Sequence, residues 1–581
     1  MSKIKANFIH KKYPMILSNS VKMFNIHFKY LVILILLNYS STLLLSQGTY
    51  LQVVWGTYFS SDDPDIGDFF SNAKLDSQGN ITVAGGMGLG APITAGVHQT
   101  VYGGEKDAII AKFDSDGKLL MSTYLGGPGL DFVRSHANDP SDNIVILGRT
   151  TSLTNIASTG ANKETFSGLN DAFIAKFRTD GTLLWSTYFG GTEDEQPYGL
   201  TIDKQSNIYI VGLTTSTSQI SSDNNVHQPL YGGGLFDSFI TKYDPNGKLL
   251  WSTYFGGTGA DYALGLDIDQ TGDLMVVGTT YSTTKISTPD ALERYYKGNG
   301  DGFIAKFSPG GKLIYATYFG GSSTDELFRC HVDKENNLYA TGYTLSNNIS
   351  TDGTIRQNKE DGLLVKFNSS GVKLWATYIG GNDYDHGLGI DTDKNDNPVL
   401  VGLTKSSNLL VTENTIQDIF NGNYDGFFVK YSSNGELLWS TYFGGAGDDR
   451  AGSIAIDEEG QIYGTVNVQS SGLATPGAFQ TISKGFAGFL VKIKEVETVS
   501  TVEPKDINPF IIYPNPVCDN INLPIYDSLF NVHIYRNDGS IIQSNLNFRN
   551  TTLKVSTLPE GNYFLVLENQ GSRRVAQFVK M

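Results

Sequence analysis

The 581 residues would make about four domains at ~150 residues each, a prior that repeat architectures break. With 40% hydrophobic, 12% aromatic and 18% charged residues, the chain buries enough apolar surface to exclude disorder; its two cysteines, Cys330 and Cys518, exclude a disulfide framework and cysteine-based zinc modules. Residues 1–46 hold six Lys and no acid, residues 508–581 six basic residues against five acids, and the 31 basic and 54 acidic residues between them leave a net charge of −23; this argues against a nucleic acid partner and favours cations or neutral polymers.

Lys22 and Lys29 precede the apolar run Leu31–Leu37, so residues 1–46 read as a signal peptide, with Met23 a start that would give it ordinary length. The unbroken run is far shorter than the ~20 residues of a membrane span. No Cys follows it, so a lipid anchor at that point is excluded.

From residue 47 the sequence repeats. A Thr-Tyr pair recurs at Thr57, Thr123, Thr187, Thr253, Thr317, Thr377 and Thr441, mostly inside Trp-Ser-Thr-Tyr-Phe-Gly-Gly. Each unit reads as four strands. In the unit near Tyr198 these are 198–203, 208–214, 238–243 and 249–255, with a loop of some 20 residues before the third and an Asn246-Gly247 turn between the last two. Seven such units predict an all-β fold, a seven-bladed β-propeller over 47–493. The last unit has a third strand at 485–493 and no fourth, while Tyr50–Tyr58 is a fourth strand without a unit, so the N-terminal strand is expected to close the ring.

The signatures Asp-Ala-Phe-Ile-Ala-Lys-Phe at 171–177 and Trp-Ser-Thr-Tyr-Phe-Gly-Gly at 185–191 resemble the long-unit β-propeller repeats of secreted bacterial proteins, the SBBP type. The resemblance implies the fold and hardly any activity, because propellers host many unrelated functions.

Residues 494–508 have no turn-and-strand rhythm and read as a linker. Beyond them, Ile512-Tyr-Pro-Asn-Pro516, the hairpin pattern 532–539, Leu558-Pro-Glu-Gly-Asn-Tyr-Phe564 and the ending Phe578-Val-Lys580 resemble the C-terminal sorting domain of type IX secretion substrates. That resemblance implies that 509–581 form a small Ig-like β-sandwich. It also implies that this domain engages the type IX machinery, carries the chain across the outer membrane to the outside or the cell surface, and is commonly removed afterwards.

Acids recur with the repeat. Eight residues after each anchor Thr stand Asp65, Asp131, Glu195, Asp261, Asp325, Asp385 and Asp449, with Asp68 equally eligible in the first unit. A second set, Asp107, Asp171, Asp237, Asp301, Asp361 and Asp425, opens the third strands, Ala487 taking the seventh place. Both sets and the long loops fall on one face. Two readings stay open: carboxylates satisfied by loop amides, or Ca²⁺ sites that need several hard oxygens at one point. A third set, Asp76, Asp139, Asp203, Asp269, Asp333, Asp393 and Asp457, starts the turns on the opposite face and reads as turn formers.

The five Trp all stand two residues before an anchor Thr and read as core; His98 and His227 share a His-Gln-x-x-Tyr-Gly-Gly context that favours structure over catalysis. Cys330 takes a place held by Leu200, Leu266 and Ile390 and is expected to be buried. No nucleophile elbow, zincin, phosphate-loop or dinucleotide motif occurs. These features point to a secreted or surface-displayed, non-catalytic, monomeric propeller that binds an extracellular polymer, cell surface or protein through its loop-bearing face, with no cofactor unless Ca²⁺. The alternative is a polysaccharide hydrolase or lyase at the channel mouth, using Glu195 with Asp194 or Asp448 with Asp449.

Overall fold

The computed structural model describes residues 47–581 apart from 64–66, 224, 352, 355, 357–358, 410, 500–506, 510–516, 518, 524–529, 537–540, 549–551 and 570–571. The signal peptide expected over 1–46, Asp65 and Cys518 thus lie outside the described residues. All regular structure among the described residues is β-strand, in two compact units, one of residues 50–496 and one built on 497–581.

The larger unit contains seven four-stranded sheets. The third is representative, with strands Glu195–Ile202, Ile208–Thr214, Asp237–Tyr243 and Leu249–Phe255 paired antiparallel in that order. The first strand starts three residues before the sequence pattern suggested, because Glu195–Pro197 pair with Gly212–Thr214 ahead of a bulge that breaks the alternation. Third strands are buried on both faces, Asp237–Tyr243 along its whole length. In the seventh sheet the order is Gln47–Phe59, Ala487–Val499, Ile462–Val468, Asp449–Ile456. The N-terminal strand therefore stands in the fourth place of the last blade. Its neighbour runs to Val499, six residues into the stretch read as linker, where Val496 and Val499 keep the β-branched content that favours extension.

The repeated residues fasten blades to one another. Trp185 donates from Nε1 to Pro245 O in the next blade (3.1 Å), and Trp55, Trp251 and Trp375 do the same to Ser115, Pro309 and Ser433. Beneath Trp185 lies Gly247, at φ 81°, where a Cβ would come within 2.7 Å of the indole. The Asn-Gly pair does not form a two-residue hairpin loop: Gly247 takes the left-handed place of a longer turn whose register slips between Lys242 and Tyr243. The anchor tyrosines hold the heads of the long loops, as where Tyr254 donates to Ser216 O (2.9 Å) and Tyr188 to Ser152 O (2.8 Å).

Each long loop then bends back along the outermost strand of its own blade. Tyr188 N–H donates to Lys163 O and Ser158 N–H to Ser186 O; Tyr254 with Gln228 and Tyr318 with Glu293 repeat the first bond. The loops begin and end on one face, as expected, but their middles cover the sheet edges at the perimeter, satisfying backbone groups that would otherwise be open to pairing.

The smaller unit has a five-stranded sheet in the order 507–509, 572–580, 561–569, 530–536, 541–548, and a two-stranded sheet of 520–522 with 552–554. Strand 507–509 pairs parallel and the remaining pairs are antiparallel. Val532, Ile534, Leu553, Leu565 and Phe578 share one core.

Candidate functional site: a central cavity and rings of acids

The first set of acids is buried in every blade: Asp131, Glu195, Asp261, Asp325, Asp385 and Asp449 all have no solvent exposure. In the first blade the place is held by Asp68, whose carboxylate accepts the N–H groups of Ser61 (2.5 Å) and Gly88 (3.0 Å). Asp261 is typical. It accepts the N–H of Gly257 (2.8 Å), the hydroxyl of Ser282 (2.8 Å) and the hydroxyl of Thr280. Glu195 repeats this with Gly191 N–H (2.9 Å) and Thr214 (2.7 Å), and Ser152, Ser346 and Ser406 serve Asp131, Asp325 and Asp385. The sequence alternative of carboxylates held by loop amides describes these bonds.

The second set lies across the blade junction and is less completely satisfied. Asp107 accepts from Gly103 N–H (2.8 Å) and Gln99 Nε2 (3.0 Å), Asp171 from Ser167 N–H (3.1 Å) and Lys163 (2.9 Å), and Asp425 from Asn421 N–H and Gln417 Nε2. Asp237 and Asp301 accept from the N–H groups of Gly232 and Lys297, and Asp361 is buried at the matching place. The Oδ1 atoms of Asp107, Asp171, Asp237 and Asp425 have no hydrogen-bond partner. Each faces an acid of the first set over a glycine: a Cβ on Gly256 would lie 2.7 Å from Asp261 Oδ2 and 2.9 Å from Asp237 Oδ1.

Burial pushes these carboxyls up, those of Asp107, Asp237 and Glu195 to about 7 and those of Asp171, Asp261, Asp301, Asp385 and Asp425 to about 6. Backbone N–H groups oppose the rise, while the acid across the junction adds to it for Asp107 and Asp237. Among the described residues no group of three or more His, Cys, Asp or Glu is gathered as a metal would need, so the acids meet in pairs.

The third set sits at the turns as expected, Asp139 accepting from the N–H groups of Ser141 and Asn143, and is also paired with the third-strand lysines, Lys176 with Asp139 (2.8 Å) and Lys430 with Asp393 (2.9 Å). His98 and His227 pack against Phe177 and Phe307 of the following blades. Cys330 is half-buried rather than enclosed, with its thiol pushed up by burial.

The acid pairs named for hydrolysis are committed elsewhere. Asp194 is bound by Arg149 (2.9 Å) and Asn170 (2.8 Å), Glu195 faces its own loop, and Asp448 is bridged by Arg450 (2.7 Å).

What the repeat concealed is a cavity of about 550 Å³ at the centre, lined by the first strands of all seven blades. Each of these strands carries a bulge, at its fourth residue in six blades and at the third, Ser71, in the first. The seven residues skipped by the pairing, Ser71, Arg134, Tyr198, Leu264, Phe328, Leu388 and Gly452, all line the cavity. Tyr262, Glu326 and Tyr281 stand nearer the face that carries the acids and loops. A sequence signal existed, since the first strands, this column included, vary from unit to unit while the third and fourth strands repeat.

The cavity is aromatic and cationic. The Arg134 guanidinium lies over the rings of Phe132 (4.9 Å) and Tyr198 (5.6 Å) and forms no ion pair among the described residues. Arg329 donates from Nη1 to the carbonyls of Leu264 (2.8 Å) and Phe328 (2.9 Å) and likewise has no carboxylate partner among the described residues. Burial lowers both guanidinium groups, with Arg134 adding to the effect at Arg329 and Arg149 adding to it at Arg134. Glu326 is held up by burial, against a hydrogen bond from Tyr343, whose ring stacks on His386 (4.5 Å between centroids). His386 in turn contacts Glu360 (2.6 Å).

Comparison with known proteins agrees with this architecture. Residues 184–218 match the family model described as a beta-propeller repeat, and residues 511–581 match the secretion system C-terminal sorting domain. An uncharacterized WD repeat-containing protein of Acanthamoeba polyphaga mimivirus is 24% identical, over 81% of this chain and 39% of its own length. The regulatory protein FlaEY of Caulobacter vibrioides is 22% identical, over 58% and 37%. The chain thus spans under two-fifths of the length of these curated relatives. Among solved structures, the WD40 domain of Neurospora crassa Pan2 aligns with 76% of this chain and 95% of its own at 8% identity (TM-score 0.40). A polysaccharide lyase, an ulvan lyase, aligns with 71% and 92% at 12% identity (TM-score 0.40). The chain thus carries a β-propeller repeat of this family at 184–218 and a type IX sorting domain at 511–581, and it is exported to stand outside the cell or attached to its surface.

Proposed function

We propose that the chain is a non-catalytic binding propeller, closed into a ring by its N-terminal strand, that takes hold of an extracellular polymer, cell surface or protein at the face where the long loops start and the central cavity opens. The observation that carries this reading is the cavity itself. Its wall is made by the first strands, whose residues change from unit to unit, and among the described residues it contains one carboxyl, Glu326, where glycosidic cleavage by two carboxyls needs a second. The ring is supported by Phe70 N–H donating to Asn467 Oδ1 (2.9 Å), a bond between the first and seventh blades. On this reading the smaller unit is an Ig-like sandwich that engages the secretion machinery, and the propeller works as a monomer.

The acid rings belong to the loop fabric in this proposal, and Ca²⁺ at the paired carboxylates is the competing one. Melting the purified chain in millimolar Ca²⁺ against EDTA separates them: a ligand of the folded state must raise the midpoint, and an unchanged midpoint is expected. The binding role is tested by retention of labelled chain on extracellular polymers, with polymer length followed in parallel. Gly452→Trp supplies the control, because a Cβ there meets nothing closer than 4.0 Å and the indole would fill the cavity. Retention lost in this variant with polymer length unchanged is the expected result; a shortened polymer would establish the hydrolase or lyase.

A further inference from the structure

We infer that the central cavity is a site for an acidic sugar residue, carboxylated or sulfated, gripped by Arg134 and Arg329 and stacked on the aromatic side chains around them. This rests on the binding reading above and names its ligand class.

Three observations converge. The first concerns charge. In a segment with 54 acidic residues, the acids near the cavity are accounted for: the first ring is buried under loop amides and hydroxyls, Asp194 belongs to Arg149, and Asp448 to Arg450. Two guanidinium groups are left facing one carboxyl, Glu326, which burial biases toward its neutral form. Both guanidinium groups are half-buried, and a cation withdrawn from water without an anion costs free energy, while the guanidinium fork suits the two oxygens of a carboxylate or sulfate. Arg134 rests between two aromatic faces, so its position is fixed while its N–H donors stay unmatched.

The second is shape and surface. Tyr198, Tyr262 and Phe328 line a space of about 550 Å³, within the range of cavities that bury most of a small ligand. Aromatic faces carry negative charge density that attracts the polarised C–H groups of a pyranose ring, while tyrosine hydroxyls match its hydroxyls. A small inorganic anion would use the arginines and waste the rings; a neutral sugar would use the rings and leave the arginines unpaired.

The third is position. The bulges that aim Arg134, Tyr198 and Phe328 inward occur in all seven first strands, so the geometry belongs to the fold, whereas the side chains delivered there differ from blade to blade. A purely structural plug would reuse the same residue, as the tryptophans do at the blade junctions.

The test is calorimetric titration of the purified full chain with trigalacturonate, a sulfated galactose trisaccharide, maltotriose and sodium sulfate. Binding of one or both acidic trisaccharides is expected, at least tenfold tighter than maltotriose and sulfate, weakened tenfold or more by Arg134→Gln and abolished by Gly452→Trp, with the melting midpoints of both variants preserved. The two acidic arms distinguish carboxylate from sulfate. Equal affinity for maltotriose, an unchanged affinity in Arg134→Gln, or no binding of either acidic trisaccharide overturns the assignment. If a neutral polymer or a protein is instead retained and Gly452→Trp releases it, the binding reading survives while the ligand class falls; retention that Gly452→Trp leaves intact removes the cavity from both.

Discussion

The outermost and innermost strands of each blade obey opposite rules. On the outside, Leu183–Phe189 and Leu249–Phe255 are the same seven residues, because the tryptophan must meet the next blade's turn and the tyrosine must hold its own loop. On the inside, the bulged column reads Ser, Arg, Tyr, Leu, Phe, Leu, Gly, since those side chains face a cavity and not a neighbouring sheet. Where the sequence repeats, contacts between blades dictate the residue; where it stops repeating, the fold has released the position for another use.

The contrast can be broken most forcefully at the repeated acids. Asp261→Ala leaves Gly257 N–H and the hydroxyls of Thr280 and Ser282 without their acceptor, and unsatisfied buried groups cost about 1–3 kcal/mol each, so a loss of about 3 kcal/mol is expected in urea unfolding. Next comes Gly247→Ala, which forces a side chain into left-handed backbone under Trp185. We expect a loss of about 1–2 kcal/mol by the same measurement.

A pH series sharpens the comparison. A carboxyl whose proton is held more tightly in the folded chain contributes stability that is complete below its unfolded value near 4. That contribution is lost as the pH climbs through the folded values of about 6 for Asp261 and about 7 for Asp237 and Glu195. The melting midpoint should therefore fall between pH 5 and pH 8, and Asp237→Asn, which keeps an acceptor for Gly232 N–H, should flatten part of that fall. The smallest effect belongs to the inner column: Arg134→Gln and Gly452→Trp should change unfolding free energy by under about 0.5 kcal/mol.

The architecture was legible because its causes are local and repeated: the Thr-Tyr anchor, the alternating third strands and the misplaced fourth strand at residues 50–58 all leave marks a single sequence carries. Of the two acids offered for the first blade, Asp68 holds the place and Asp65 lies outside the described residues, while in the other six blades the acid eight residues after the anchor Thr is the buried one. Their pairing across Gly256 and its equivalents was not visible, because it depends on how one blade is set against the next. The cavity was missed for a related reason. A bulge shifts one residue out of the two-residue period, so Arg134 and Tyr198 occupy positions that alternation assigns to the sheet interior, and the uniform third and fourth strands hid the varied first strands.

The strand at residues 47–59 has one further consequence, in time. Its sheet partner, residues 487–499, comes more than 400 residues later, so the last blade cannot be completed while the chain is still being delivered from its N-terminal end. Six blades can form in the order in which they emerge, each from contacts within about 60 residues. The seventh must wait for an encounter between distant ends, whose entropic cost grows only slowly with the length between them. The sorting domain, matched from residue 511, begins a short linker beyond Val499, so the address that directs export arrives just after the propeller first has everything it needs to finish folding.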